Sequence, residues 1–188
     1  MPEIVLIRHG QTEWSASGQH TSVTDLDLTA EGERQARELG VRLAGRTFTA
    51  VLCSPRRRAS RTAQLAGLTV TEVTGDLAEW HYGTYEGRTS AEIRRSVPNW
   101  SLWTDGAPGG ESPEQVTVRI DRVLARARAL LDGGDVALVG HGHALRVAGV
   151  RWIGLPAAAG GRLRLGTATL STLGFEHGVQ AIASWNVG

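Results

Sequence analysis

The chain has 188 residues, 41% of them hydrophobic and 21% charged, and a formal net charge of +1. That length and apolar content suit one medium domain with a substantial core, and the near-neutral charge creates no global field toward nucleic acid or a membrane surface. All 20 basic residues are arginine, which excludes a lysine Schiff base and a lysine phosphate clamp, while a single cysteine, Cys53, excludes an intrachain disulfide and a thiol-based zinc site. No charged segment leads into a long apolar run at the N-terminus, and no apolar run approaches membrane-spanning length. The expected location is therefore the cytoplasm.

Ile4 to Ile7 form a continuous apolar run that ends in Arg8-His9-Gly10. Such a run reads as a strand buried on both faces, predicted over residues 3–8. Gly10 allows a sharp turn after it. Arg8 and His9 then stand at the carboxyl end of a buried strand, where open α/β sheets bind ligands. There a guanidinium holds phosphate oxygens and a neutral imidazole attacks phosphorus. The same pair also fits an ordinary strand end, and the tripeptide alone does not separate the two readings.

Residues 10–28 have no clear period and are predicted as a long loop, a length that is usually functional. Thr29 caps a helix that carries Ala36, Leu39, Gly40 and Leu43 at helical spacing. Glu31 and Glu33 near its start and Arg42 and Arg46 near its end suit the helix dipole. A second strand runs from Ala50 to Cys53, closed by Ser54-Pro55. A helix follows from Arg56 to Ala66, with Arg58 and Thr62 on one face. Val70 to Val73 reads as a third strand, and Leu77 to Gly83 as a loop unusually rich in aromatic residues.

Thr89-Ser90-Ala91-Glu92 is a capping-box pattern opening a short helix. Residues 97–111, with Pro98, Pro108, Trp100 and Trp103, read as an ordered surface loop or lid. Ser112-Pro113-Glu114-Gln115 starts the next helix with a cap, an N1 proline and Gln at N3. Val116, Ile120, Val123, Leu124 and Ala127 continue its apolar stripe until Gly133-Gly134. Val136 to Val139 is another buried strand and runs into Gly140-His141-Gly142-His143. Residues 144–153 look helical, and 170–175 with 179–185 flank Glu176-His177-Gly178 as a hairpin. Alternating strands and helices predict a three-layer α/β/α sandwich with a mostly parallel sheet, with no internal linker dividing residues 1–188.

Two buried strands thus each end in a glycine-flanked histidine, His9 and His141, and in one sheet both ends can face one crevice. Arg58 and Glu79, from the segments after the second and third strands, can enter the same crevice. At this point the sequence resembles the histidine phosphatase superfamily, the phosphoglycerate-mutase-like group. The matches run in order along most of the chain: Arg8-His9-Gly10-Gln11-Thr12-Glu13-Trp14, Asp25, Leu28-Thr29, Gly32, Ser54-Pro55, Arg58-Ala59, Thr62-Ala63, Leu77, Glu79, Gly83, Glu86-Gly87, Gly110-Glu111-Ser112 and Val139-Gly140-His141-Gly142.

The resemblance implies a phosphoglycerate-mutase-like fold and a single histidine phosphatase domain over 1–188. It implies covalent phosphoryl transfer, with His9 as the nucleophile, Arg8, Arg58 and His141 as the phosphate pocket, and Glu79 as the proton donor to the leaving oxygen. Two guanidiniums supply permanent positive charge without a metal and disfavour a protonated His9. Phosphate charge beside Glu79 raises its pKa and helps it act as an acid. Gln11, Thr12 and Gly142 belong to the motifs that bind substrate; Ser15 stands where an Asn commonly helps bind phosphate. Trp14, Thr21, Ser22 and Tyr82 are the candidates for contacts beyond the phosphate, with Trp100 and Trp103 as candidates to close over it.

Within the resemblance, the region between the Glu and second His motifs is short, and residues 96–111 hold no Arg or Lys. These departures from a mutase favour hydrolysis. The Gln11 to Ser15 segment, the Thr21 to Asp25 loop and Trp80-His81-Tyr82-Gly83 look most like broad-specificity acid phosphatases and sedoheptulose-bisphosphatase-like members. The expectation is a metal-independent phosphomonoester hydrolase, needing no cofactor, acting on small phosphorylated metabolites. A phosphoglycerate mutase is the alternative enzyme, and a phosphate-binding regulatory protein or a phosphoprotein-docking module the alternatives of other classes. His20 and His143 match no catalytic position and read as supporting or surface residues; His81 is evenly balanced, and His177 reads as a turn residue. Neither nucleic acid nor membrane is an expected partner. The C-terminal hairpin offers an edge for a homodimer.

Overall fold

The computed structural model describes residues 1–188. Its strands are β1 (Ile4–Arg8), β2 (Phe48–Cys53), β3 (Glu72–Val73), β4 (Asp135–Gly140), β5 (Leu170–Glu176) and β6 (Val179–Val187). They form one sheet in the order β3-β2-β4-β1-β5-β6. The first four are parallel, and the C-terminal hairpin adds two antiparallel strands beside β1. The helices are α1 (Glu13–Ser17), α2 (Ala30–Arg42), α3 (Arg57–Leu65), α4 (Ser90–Ser96), α5 (Leu102–Asp105), α6 (Pro113–Leu130) and α7 (Gly142–Trp152).

Side chains alternate across a strand, and β1 uses both faces. Ile4 and Leu6 enter a core shared with α6 and α7, which includes Ile120, Val123, Leu145 and Val147. Val5 and Ile7 enter a smaller core on the other face with Leu39 of α2 and Ala59 and Ala63 of α3. The continuous apolar run of β1 is thus the signature of a strand covered on both sides.

Four local expectations are refined or changed. The segment 10–28 contains a helix, α1, capped by a reciprocal pair: Thr12 Oγ1 accepts from the Ser15 amide at 3.2 Å and Ser15 Oγ from the Thr12 amide at 2.8 Å. Five residues are too few to display a helical period. The third strand shrinks to Glu72–Val73, an edge pair against Leu52 and Cys53. Residues 97–111, expected as an ordered surface loop or lid, are ordered and contain the short helix α5: Trp100 is 4% exposed and its indole donates to the Gly106 carbonyl at 2.9 Å. Proline and glycine marked that segment as irregular, but its tryptophans are anchored. Finally, α7 begins at Gly142, with His141 as its cap residue.

Register places the two histidine motifs together. Arg8 on β1 pairs with Gly140 on β4, so His9 and His141 leave adjacent parallel strands at the same level. The turn after β1 is pressed onto α2. A Cβ on Gly10 would lie 2.3 Å from the Gly32 carbonyl oxygen, and one on Gly32 would lie 2.0 Å from that of Gln11. Only two glycines permit this approach.

Candidate active site

A cavity of about 240 Å³ opens at the carboxyl ends of β1 and β4, lined by Arg8, His9, Thr12, Tyr82, Glu79, Gly142, His143 and Arg146 among others. His9 and His141 stand edge to face with ring centroids 5.0 Å apart. His9 Nδ1 lies 2.7 Å from the Gly10 carbonyl oxygen. A carbonyl only accepts, so Nδ1 carries the proton and Nε2 keeps its lone pair. Burial, then the Arg8 and Arg58 charges, lower the His9 pKa to about 3. The imidazole is therefore neutral at any ordinary pH.

Arg8 anchors itself by donating to the Leu165 carbonyl, while its Nε is buried without a partner. It lies so close to the start of α7 that a Cβ on Gly142 would sit 3.3 Å from the guanidinium carbon. The Gly142 amide heads a helix and has no intrahelical partner, so with the dipole it adds to an anion site.

Arg58, at 0% exposure, is placed by α3 behind the cavity. Its Nε donates to His141 Nδ1 at 3.2 Å, and its terminal nitrogens to the carbonyls of Thr24, Thr21 and Ser22 at 3.0, 3.1 and 3.3 Å. His141 Nε2 lies 2.7 Å from Ser54 Oγ. The arrangement holds His141 neutral; burial and then the Arg58 charge put its pKa well below the usual range. Thr62 Oγ1 accepts from the Gly10 amide at 3.0 Å and donates to the Arg58 carbonyl at 2.7 Å, which ties α3 to the histidine turn.

Glu79 reaches the start of α7 from the loop after β3. Its oxygens accept from the amides of Trp80, Ala144 and His143 at 2.9, 2.9 and 3.0 Å. Burial works to raise its pKa, but hydrogen bonding and charge from His143 hold it well below the usual carboxylate range. Glu79 is therefore ionised where it meets the helix N-terminus.

The expected binding residues divide. Thr12, Ser15, Thr21, Tyr82 and Gly142 line the cavity. Gln11 instead accepts from Thr29 Oγ1 at 2.9 Å, and Ser22 is bound to Glu86, its amide at 2.8 Å and its hydroxyl at 2.5 Å. Trp14 packs on Gly87, where a Cβ would meet its ring at 3.1 Å. None of these three faces the cavity, because each is held by a neighbouring element. Trp103 lies behind it, stacked under Arg146.

Sequence reasoning set aside His20 and His143, yet both line the cavity. Tyr82 Oη bonds His143 Nδ1 at 2.7 Å, and His20 stacks on Tyr82 at 4.6 Å. Arg146, one helical turn after Gly142, was missed as well; its spacing from the histidine motif on α7 was the available signal. His81 is held elsewhere through its amide by Glu111, at 2.8 Å. His177 sits at the exposed β5–β6 turn with φ 50.

Permanent cations, a helix N-terminus and a neutral imidazole lone pair around one cavity define a site for phosphoryl chemistry. Comparison with known proteins agrees. The family model for the histidine phosphatase superfamily (branch 1) matches residues 4–188. An acid phosphatase of Mycobacterium tuberculosis is 49% identical over 183 residues, covering 96% of this chain and 90% of that one. A sedoheptulose 1,7-bisphosphatase of Saccharomyces cerevisiae is 37% identical, covering 82% of this chain and 68% of that one. The solved structure of a Mycobacterium tuberculosis open reading frame superposes with a TM-score of 0.96 at 47% identity, covering 99% of this chain and 97% of that chain.

The chain belongs to the histidine phosphatase superfamily, branch 1, with a phosphoglycerate-mutase-like fold. Within that family it is a phosphomonoester hydrolase. No helix is long and apolar enough to cross a membrane.

Proposed function

We propose that the enzyme hydrolyses small phosphorylated metabolites, sugar phosphates or a range of monoesters, through a phosphohistidine on Nε2 of His9, without a metal. The observation that carries this is the His9–Gly10 hydrogen bond, which leaves Nε2 unprotonated beside two arginines. In the first step Nε2 bonds to phosphorus and the ester oxygen departs, taking a proton from Glu79. Substrate dianion beside Glu79 raises its proton affinity, so the carboxylate ionised in the free enzyme takes up a proton from solvent as substrate binds and becomes the acid in the complex. In the second step Glu79 draws a proton from water, the water oxygen bonds to phosphorus, and His9 leaves with its lone pair restored. Arg8 and the Gly142 amide hold the phosphoryl oxygens, while Arg58, bonded to neutral His141 behind the cavity, adds its positive charge to the pocket. Charge stabilisation by guanidiniums takes the place a metal would fill. The cavity walls beyond the phosphate — Thr12, Ser15, Thr21, His20 and His143 — are polar, as a hydroxylated substrate requires. One buried free cysteine fits work in the reducing cytoplasm.

The test is phosphate release from sugar and aryl phosphates in the presence of chelator, with His9→Ala alongside. Release that survives chelator and disappears with His9 is expected. Release lost in chelator, or retained by the variant, would overturn the mechanism. A chain that interconverts phosphoglycerates with a bisphosphate primer and releases no phosphate would be a mutase.

A further inference from the structure

A second groove adjoins the catalytic cavity and shares Arg8, Arg146 and Leu165 with it. Its other walls include Arg162, Arg164 and Asn186, and no carboxylate lines it. Elsewhere in the chain, arginines such as Arg46, Arg61, Arg119 and Arg151 are matched by carboxylates. Arg146, Arg162 and Arg164 have no such partner within 4.0 Å.

The groove is held in shape. Arg146 Nε donates to the Gly160 carbonyl at 2.9 Å, and its guanidinium lies 4.4 Å from the centre of the Trp103 ring. Its two terminal nitrogens make no hydrogen bond within the protein. A Cβ on Gly160 would sit 2.6 Å from Trp103, so the stacked arrangement depends on the glycine. Opposite, Asn186 Oδ1 accepts from the Gly166 amide at 2.6 Å, Trp185 donates to the Arg164 carbonyl, and Arg8 donates to that of Leu165. The backbone carrying Arg162 and Arg164 is thereby fixed to β6 and to the catalytic arginine. One fixed guanidinium, Arg146, and two exposed ones, Arg162 and Arg164, carried on an anchored backbone, stand unneutralised beside the phosphate pocket and together form an anion site.

We propose that this groove is a subsite, formed by Arg146, Arg162 and Arg164, for a second anionic group of the substrate, a phosphate or carboxylate remote from the ester cleaved. The proposal rests on the hydrolase reading above and narrows its substrate class to phosphomonoesters with two anionic ends. Arg146 joins the two compartments, so one molecule spans them.

The experiment compares kcat/KM for an aryl phosphate, a sugar monophosphate, the matching sugar bisphosphate and a phosphorylated sugar acid, using wild type and the Arg162→Gln/Arg164→Gln double variant. The wild type should prefer the doubly anionic substrates over the monophosphate by about tenfold or more, the value of one charge-assisted hydrogen bond. The double variant should lose that preference through KM. Which of the two sugar substrates loses more identifies phosphate or carboxylate as the second anion. An unchanged preference, or an equal loss on all four substrates, would overturn the subsite. Aryl phosphate hydrolysis with no preference in the wild type overturns the subsite alone, whereas no hydrolysis at all overturns the catalytic reading and the subsite with it. Calorimetry in a His9→Ala background gives an independent readout: the double variant should bind the bisphosphate about tenfold more weakly and inorganic phosphate with little change. Both arginines are exposed, so the fold should survive, as a melting curve will show.

Discussion

Arg58 Nε donates to Nδ1 of His141 across 3.2 Å, and that contact sets the state of both residues. A guanidinium only donates, so Nδ1 accepts and the proton of His141 resides on Nε2, facing Ser54 Oγ. The same guanidinium gathers the carbonyls of Thr21, Ser22 and Thr24. Arg58 is thus the post that holds one wall of the cavity, besides the phosphate-pocket role proposed for it. Arg58→Ala should abolish turnover and destabilise the protein by about 3 kcal/mol or more, because buried acceptors lose their donor. Arg58→Lys should recover little, since an ammonium cannot reproduce a planar fork. Urea unfolding beside phosphate-release assays checks both statements.

His9 should separate activity from stability. His9→Ala removes a side chain whose one hydrogen bond is to its neighbour's carbonyl, so turnover should vanish while the melting temperature moves by only a few degrees. In the wild type, rapid quenching into base during turnover should trap a phosphoryl group on His9, found by peptide mass spectrometry. Trapping on another residue would refute the assignment.

For Glu79→Gln, kcat should fall about 10²- to 10⁴-fold, and inorganic phosphate should bind with far less change. Three backbone amides hold this carboxylate, and a glutamine amide can satisfy only part of that set. Activity equal to wild type would remove Glu79 from proton transfer. Aryl phosphates with good leaving groups should be less affected than alkyl phosphates, because their oxygen departs without needing a proton.

Glu86 holds the other side of the Thr21–Asp25 loop through the amides of Ser22 and Thr24 and the Ser22 hydroxyl. Glu86→Ala should loosen the wall that Arg58 gathers. KM should rise several-fold with a smaller change in kcat, measured in steady-state assays. A fall in kcat alone would mean that the loop serves chemistry rather than binding.

Stability should fall on acidification. Burial, then the Arg8 and Arg58 charges, take His9 from 6.5 to about 3. Burial, then His143, take His20 from 6.5 to about 4. Between these values the unfolded chain binds more protons than the folded one, so stability is complete above about pH 6.5 and declines as the pH drops toward 3. Calorimetric melting temperatures should decrease over that window, and His20→Asn should flatten part of the slope. A melting temperature that rises between pH 6.5 and 4 would contradict the sign.

Much of this protein was legible in one dimension. The apolar run Ile4 to Ile7, covered on both faces, and the caps Thr29, Thr89 and Ser112 are local events. Local sequence determines them, because strand burial needs a continuous apolar run and a cap needs one oxygen three residues before an amide. The ordered motifs carrying Arg8, His9, Arg58, Glu79 and His141 were legible for the same reason: each sits at an element boundary that its own neighbours define. Tertiary structure alone decided which side chains share the cavity. Gln11, Trp14 and Ser22 lie in the right segments, yet Thr29, Gly87 and Glu86 turn them away. His20 and His143 read as supporting or surface residues and Arg146 was missed, yet all three line the cavity because α7 starts at Gly142 and Tyr82 packs between two imidazoles. The arginine groove is the clearest case. Arg146 and the Arg162–Arg164 segment are separated along the chain and meet only where the α7–β5 connection folds back onto β6. Their missing carboxylate partners are a property of that surface, and no spacing in the sequence records it.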